Sequence, residues 1–163
     1  MAKNKEEKTN VMRVLEQKKI AYTAHTYPHE EGVAVDGVTV AQSMGFDPAI
    51  VFKTLVARGA SKQYYVFDVP VAANLDLKKA AKAVGEKSVE MIHQKELLPL
   101  TGYVHGGCSP VGMKKLFPTV IHKTAEDLET MIVSAGKIGY QVELSPQDLA
   151  ALVRAQFADI TVE

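Results

Sequence analysis

Apolar residues recur along the chain with two different periods, and the switches between them predict its elements. From Val11 they return at Val14 and Leu15, a helical spacing, and Lys18 and Lys19 suit the negative end of that helix. Residues 22–27, YTAHTY, form a strand by composition, and residues 28–37, PHEEGVAVDG, form a loop. Val40, Ala41 and Met44 predict a short helix that Gly45 ends, and Asp47 before Pro48 caps a further short turn. The β-branched and aromatic runs at 51–57 (VFKTLVA) and 63–69 (QYYVFDV) predict a hairpin turning at RGAS. Asp76 then caps LKKAAKAVG, where Leu77, Ala80, Ala81 and Val84 share one core face and Gly85 is the stop.

The second half repeats this alternation. Residues 89–92 (VEMI) predict a strand and HQKELLP a short helix. Strands follow at 119–123 and 130–135, around a capped turn at Thr124, and GKIG turns the chain into a further strand at 140–144. Ser145 and Pro146 open a helix whose buried face is Leu149, Leu152 and Val153, and ADITV makes a last strand. Hairpins and helices in irregular order predict an α+β fold: a mostly antiparallel or mixed sheet surrounded by helices. The 163 residues, without internal repeat or linker, suit one domain spanning 1–163, with the first ten frayed.

Composition narrows the classes. Apolar residues make up 47% of the chain, which is globular and not disordered. Nineteen Lys and Arg balance nineteen Asp and Glu, so no global field draws in a nucleic acid, and any basic surface is local. Lys78, Lys79, Lys82, Lys114 and Lys115 could form such a patch against a phosphate backbone, or a plain solvated face. A single cysteine excludes an internal disulfide and suits a reducing compartment. The polar start MAKNKEEKTN has no signal-peptide core, and no run of about 18 apolar residues predicts a membrane span. A cytoplasmic protein with no membrane partner is expected.

The chemistry concentrates in residues 101–115, TGYVHGGCSPVGMKK. Paired glycines let a backbone approach a ligand, and Pro110 stiffens the loop. Successive N–H groups there can cradle an anion or polarise an ester carbonyl, although an ordinary turn has the same composition. Cys108 could be a nucleophile activated by His105, or an inert buried thiol. Lys53 interrupts the apolar strand VFKTL, either as an outward lysine or as a pocket cation for a phosphate or carbonyl. The five histidines, His25 and His29 among them, match no metal spacing, and no nucleophile elbow, phosphate loop or dinucleotide fingerprint occurs, so neither metal nor cofactor is expected.

The order HTYPHE, VFKTL, NLDLKKAAKAVGEKSVEM, TGYVHGGCSPVGMKK and VSAGKIG followed by VELSPQDLA resembles the YbaK family of Cys-tRNA(Pro) deacylases, relatives of the editing domain of prolyl-tRNA synthetase. The resemblance runs from about Val11 to Ile160. It implies a barrel-like mixed sheet wrapped by helices, and deacylation of a wrongly charged transfer RNA, for similar members cysteine on tRNA(Pro). The family's strand lysine falls on Lys53, and its G-x-x-x-P loop runs from Gly106 through Gly107, Cys108 and Ser109 to Pro110. Its early tyrosine falls on Tyr27, with His29 beside it, and Ser134 and Gly136 belong to its pocket turn. The family is thought to need no protein nucleophile: the substrate thiol attacks its own ester and leaves as a ring, which implies a lyase as well as a hydrolase. A prolyl-tRNA synthetase is the implied partner. Two departures stand out. Cys108 replaces a residue that is commonly aliphatic, and SAGKIG replaces a turn like S-G-G-K-R-G, so that Ala135 adds a methyl to the pocket and Ile138 removes an arginine. A non-catalytic module that binds RNA ends or a synthetase, and a thiol enzyme using Cys108, are the alternatives.

Overall fold

Two β-sheets with helices packed around them make up the fold, in a computed structural model that describes residues 8–163. Of the ten residues expected to fray, 1–7 lie outside the described residues. In chain order the elements are α1 (Asn10–Gln17), β1 (Tyr22–Thr26), α2 (Gly37–Met44), β2 (Phe52–Gly59), β3 (Tyr64–Pro70), α3 (Leu77–Val84), β4 (Val89–Met91), α4 (Gln94–Thr101), β5 (Thr119–His122), β6 (Met131–Lys137), β7 (Tyr140–Leu144), α5 (Pro146–Val153) and β8 (Gln156–Ala158). The starts of the helices follow from their caps. Asp36, Asp76 and Ser145 each accept from a backbone N–H of the first turn, and Gly45 and Gly85 close their helices in the left-handed region that glycine tolerates best.

The smaller sheet has the antiparallel order β1-β7-β6, and the larger has the order β4-β2-β3-β5-β8. In the larger sheet β2 pairs antiparallel with β3 and β4, whereas β3 with β5 and β5 with β8 run parallel. The sheet is therefore mixed and helix-wrapped, but it does not close into a barrel. A single bridge between Val51 and Ile132 joins the two sheets. The main core fills the angle between them, with Leu15, Val56, Ile121, Met131, Val142 and Leu149 all buried. A second core lies under α3, where Ala80 and Ala81 meet Phe67, Val69 and Val120.

Three elements differ from the sequence expectation. β8 sits at Gln156–Ala158, earlier than ADITV, and only Thr161 of the later residues bridges back, to Leu75. The turn after β5 is a 3-10 turn, Lys123–Asp127, that begins before Thr124. Leu77 is exposed although its spacing puts it on the core face of α3, because it opens the helix, where the core has not yet begun.

The pairing of β2 decides what its edges offer. The Val71 N–H donates to the Val51 carbonyl at 2.8 Å, and the Gly59 N–H donates to the Gln63 carbonyl at 2.8 Å. With the register between them regular, the odd-numbered residues of β2 bond to β3 and the even-numbered ones face the opposite edge. Val56 confirms the alternation, since its carbonyl accepts from Ile92 on that edge. Thr54 therefore turns its backbone N–H and C=O toward the gap between the bridge at Val51 and the pairing with β4.

Candidate active site between the two sheets

A cavity of about 350 Å³ occupies that gap, within the ordinary range for small-ligand sites. Its walls come from β2, from the loop before α2, from the glycine-rich loop after α4, and from Ser134 and Gln141 on β6 and β7. Six of the sequence candidates line it together: Tyr27, Lys53, His105, Gly106, Cys108 and Ser134. His29, Gly107, Ser109, Pro110 and Gly136 do not. They brace the walls instead.

Lys53 enters from β2 and is half-buried. Desolvation lowers its pKa, and the nearby Asp36 carboxylate opposes that shift. Among the described residues no carboxylate lies within ion-pair distance of its ammonium. Asp36 spends its Oδ2 on the Thr39 N–H and hydroxyl at the start of α2, each at 3.1 Å. A cation partly stripped of water and left without a partner can take up an anion.

Gly106 has φ +90°, and a Cβ built on it would stand 2.7 Å from the Ala34 Cβ, so both shape and conformation require glycine there. Among the described residues its N–H has no backbone acceptor, whereas the Gly107 N–H is already spent on the Val104 carbonyl at 3.0 Å. A Cβ on Gly107 would meet the Ile138 nitrogen at 3.0 Å, so this loop packs directly against the β6–β7 turn. Ser109 is fully buried and its hydroxyl accepts from the Val111 N–H. Of the N–H groups in the G-x-x-x-P segment only that of Gly107 is spent on a carbonyl among the described residues, and Gly106 is the residue of the segment's glycine pair that lines the cavity.

Tyr27 is buried, with its backbone N–H bonded to the Gly139 carbonyl, and burial raises the pKa of its phenol. His29 sits outside the lining. Its Nδ1 lies 3.0 Å from the Tyr27 carbonyl and its ring meets Tyr27 and Tyr140 edge-on. Ser134 accepts from the Gly136 N–H at 3.1 Å, and Gly136 itself turns away to pack on Tyr103 and Val11. Ala135 is fully buried in the main core and does not reach the cavity, so its methyl does not narrow the pocket as its turn position suggested. Ile138 is buried against the glycine loop.

Three residues of the site escaped the sequence analysis. Gln141, opposite Ser134 in the β6–β7 pairing, is buried in the wall and its Oε1 has no partner among the described residues. Thr54 lines the cavity and donates its hydroxyl to Asp68 at 2.5 Å. Asp68 is fully buried, directly across from Thr54 on β3, and its second oxygen is unpartnered among the described residues. Their common signal is a polar side chain at an inward position of an apolar strand, as in VFDV and YQV.

Cys108 lies in the wall, and burial together with the Asp68 charge pushes its thiol up to about 12. That is the reverse of an activated nucleophile. The lysine patch also resolves into separate roles. Lys79 is tied to Asp159 at 3.1 Å and to the Thr161 carbonyl at 2.9 Å, and Lys114 reaches the Pro99 carbonyl. Among the described residues no group of three or more His, Cys, Asp or Glu is arranged to hold a metal, and no helix is long and apolar enough to cross a membrane.

The glycine loop and Lys53 line one cavity, and comparison with known proteins gives the family of the chain. Residues 32–152 match the aminoacyl-tRNA editing domain, and the chain belongs to that family. Over its whole length it is 46% identical to an Enterococcus faecalis protein, 99% of which is covered, named "Putative Cys-tRNA(Pro)/Cys-tRNA(Cys) deacylase EbsC". It is 26% identical, with TM-score 0.79 and coverage of 94% and 95%, to a structure described as "a putative trans-editing enzyme for prolyl tRNA synthetase". A further structure, "hypothetical protein APE2540", shares the fold at 20% identity and TM-score 0.82, covering 93% of this chain and 99% of that one. The chain is accordingly an aminoacyl-tRNA deacylase of the editing family. Deacylation is hydrolysis of an acyl ester, so the expected lyase label is withdrawn: the named relative is a deacylase and the matching family edits aminoacyl-tRNA.

Proposed function

We propose that the protein removes cysteine wrongly attached to tRNA(Pro), by hydrolysis of the ester and without a protein nucleophile. The observation that carries this reading is Lys53, a partly desolvated ammonium without a carboxylate partner, on the same cavity as the Gly106 N–H. Lys53 binds the terminal phosphate or an ester oxygen. The Gly106 N–H donates to the carbonyl oxygen as charge develops on it. Tyr27 walls the aminoacyl group, and the inert Cys108 thiol helps to close the pocket without reacting. With both ends of the substrate held, its own thiol attacks the ester carbonyl, the ribose oxygen leaves with the proton, and water opens the resulting ring. The net change is hydrolysis. The protein contributes position and polarisation. Balanced net charge gives the chain little RNA affinity of its own, so a synthetase, prolyl-tRNA synthetase by this reading, presents the RNA.

Single-turnover deacylation of tRNA(Pro) charged with Cys, Ala, Ser or Pro tests this with wild type and Lys53→Ala. Fast loss of Cys alone, reduced at least a hundredfold in the variant, is expected. Loss of Ala or Ser in place of Cys would move the specificity. Turnover by Lys53→Ala at the wild-type rate would remove Lys53 from the site.

A further inference from the structure

Asp68 is the one fully buried carboxyl of the described residues. It stands in β3 between Phe67 and Val69, on the face that looks into the main core. Among the described residues no cation pairs with it. It accepts from the Thr54 hydroxyl at 2.5 Å and its charge acts on Cys108, and both of those residues line the cavity. Its second oxygen is left unpartnered. An apolar residue at this position would cost the fold less. A group held at such a cost, whose hydrogen-bond partner Thr54 lines the cavity, is placed to act on the cavity.

We propose that Asp68 is a positioning residue that acts through Thr54: its carboxylate accepts the hydrogen bond that the Thr54 hydroxyl donates, so that the hydroxyl oxygen faces the cavity as an acceptor for a donor on the aminoacyl group, the thiol or the ammonium. This deepens the proposed function and rests on it. A threonine hydroxyl has one proton and two lone pairs. With the proton committed to Asp68, only lone pairs remain for the ligand. With Asp68 protonated, the carboxyl donates instead, and Thr54 turns its own proton toward the cavity, where it opposes the donor it should receive. The Thr54 backbone already faces the gap, so main chain and side chain of one residue meet the ligand together.

The surroundings leave Asp68 as the group that titrates in the neutral range. Burial raises its pKa to about 7, against the lowering effect of Thr54. Facing it from the glycine loop is Cys108, which stays a thiol, and beyond that Tyr103, whose phenol is also raised to about 12. From β5 the residue opposite is Ile121, and the adjacent His122 turns to the other side of the sheet, toward Ile160 and Thr161. On β2, Lys53 is paired across to Val69 rather than to Asp68.

The test is the deacylation rate between pH 5.5 and 8.5 for wild type, Asp68→Val, Thr54→Val and the double variant, with thermal unfolding of each. The expected result has four parts. Wild type gains rate through a titration near pH 7. Asp68→Val unfolds at a higher temperature yet deacylates about tenfold more slowly and lacks that titration. Thr54→Val loses a similar factor. The double variant is no slower than Thr54→Val alone, because Asp68 works through that hydroxyl. Asp68→Asn, whose amide oxygen accepts at every pH, keeps most of the rate with the titration gone, and it serves if the valine variant fails to fold. Multiplying losses in the double variant, or an unchanged titration in Asp68→Val and Asp68→Asn, would overturn the inference and leave the deacylase standing. An inactive wild type would overturn the deacylase reading, and the inference with it.

Discussion

Gly106 shows how little chemistry a residue needs in order to be indispensable. It contributes no side chain, yet its φ of +90° and the Ala34 Cβ at 2.7 Å from where its own would stand admit nothing larger. Gly106→Ala therefore strains the backbone and pushes the glycine loop away from Ala34 in the loop before α2. Left-handed strain of this kind costs about 1–3 kcal/mol. Chemical denaturation should show a loss of that order, and deacylation should fall by more than tenfold, mainly in kcat, because the donor moves from the position of the developing oxyanion. An unchanged kcat would mean that the Gly106 N–H does not touch the reacting carbonyl. Cys108 carries the opposite lesson. A cysteine three residues from a histidine looks reactive on paper, but burial and the Asp68 charge raise its pKa and make it a packing residue.

Among the elements, those whose start and stop are written in local chemistry were legible in the sequence. α5 begins where Ser145 accepts from the Asp148 N–H at 3.3 Å, with Pro146 in the first turn. Ser145→Ala should cost about 1 kcal/mol of stability. In a domain of this size that lowers the unfolding temperature by about 2–4 °C, and the deacylation rate should not change, since α5 takes no part in the cavity. A loss of rate larger than the loss of folded protein would count against that separation. The β2–β3 hairpin and the glycine-stopped helices were readable for the same reason. β8 was misplaced because a three-residue strand is defined by its parallel partner and not by its own pattern. Of the site, the glycine loop and Lys53 stood out by composition. Thr54, Asp68 and Gln141 did not, because their significance lies in which strands pair and which edge stays open, and no local period encodes that.

Over the whole molecule, two buried groups pull stability in opposite directions with pH. His122 joins β5 to the C-terminal residues. Its Nδ1 accepts from the Ile160 N–H at 3.2 Å, which leaves Nε2 to donate to the Thr161 hydroxyl. A second proton would point at the Ile160 N–H, and burial, the largest cause, lowers the pKa below its ordinary value. A histidine held neutral contributes stability that is fully present above about pH 6.5 and is lost as pH falls through the lowered folded value. Asp68 has the reverse sign: its pKa is raised to about 7, so its contribution is present below the ordinary carboxylate range and is lost as pH rises through about 7. Urea unfolding at successive pH values should show the acid-side fall flattened in His122→Asn, whose side-chain oxygen can still accept from Ile160. A fall of the same size in that variant would place the acid sensitivity elsewhere.

Among the described residues the bridge from Val51 to Ile132 is all the main-chain pairing that the two sheets share, and the cavity opens beside it. A molecule reaching from Lys53 to Ser134 touches both sheets at once and serves as a second fastening where the fold has one. Whatever affinity it has is also resistance to the sheets parting, since a ligand that binds only the closed form adds its binding free energy to that form. Under the proposed function, recognition and cohesion would thus be the same set of contacts, and the protein would be mechanically most complete while it holds the error it is about to remove.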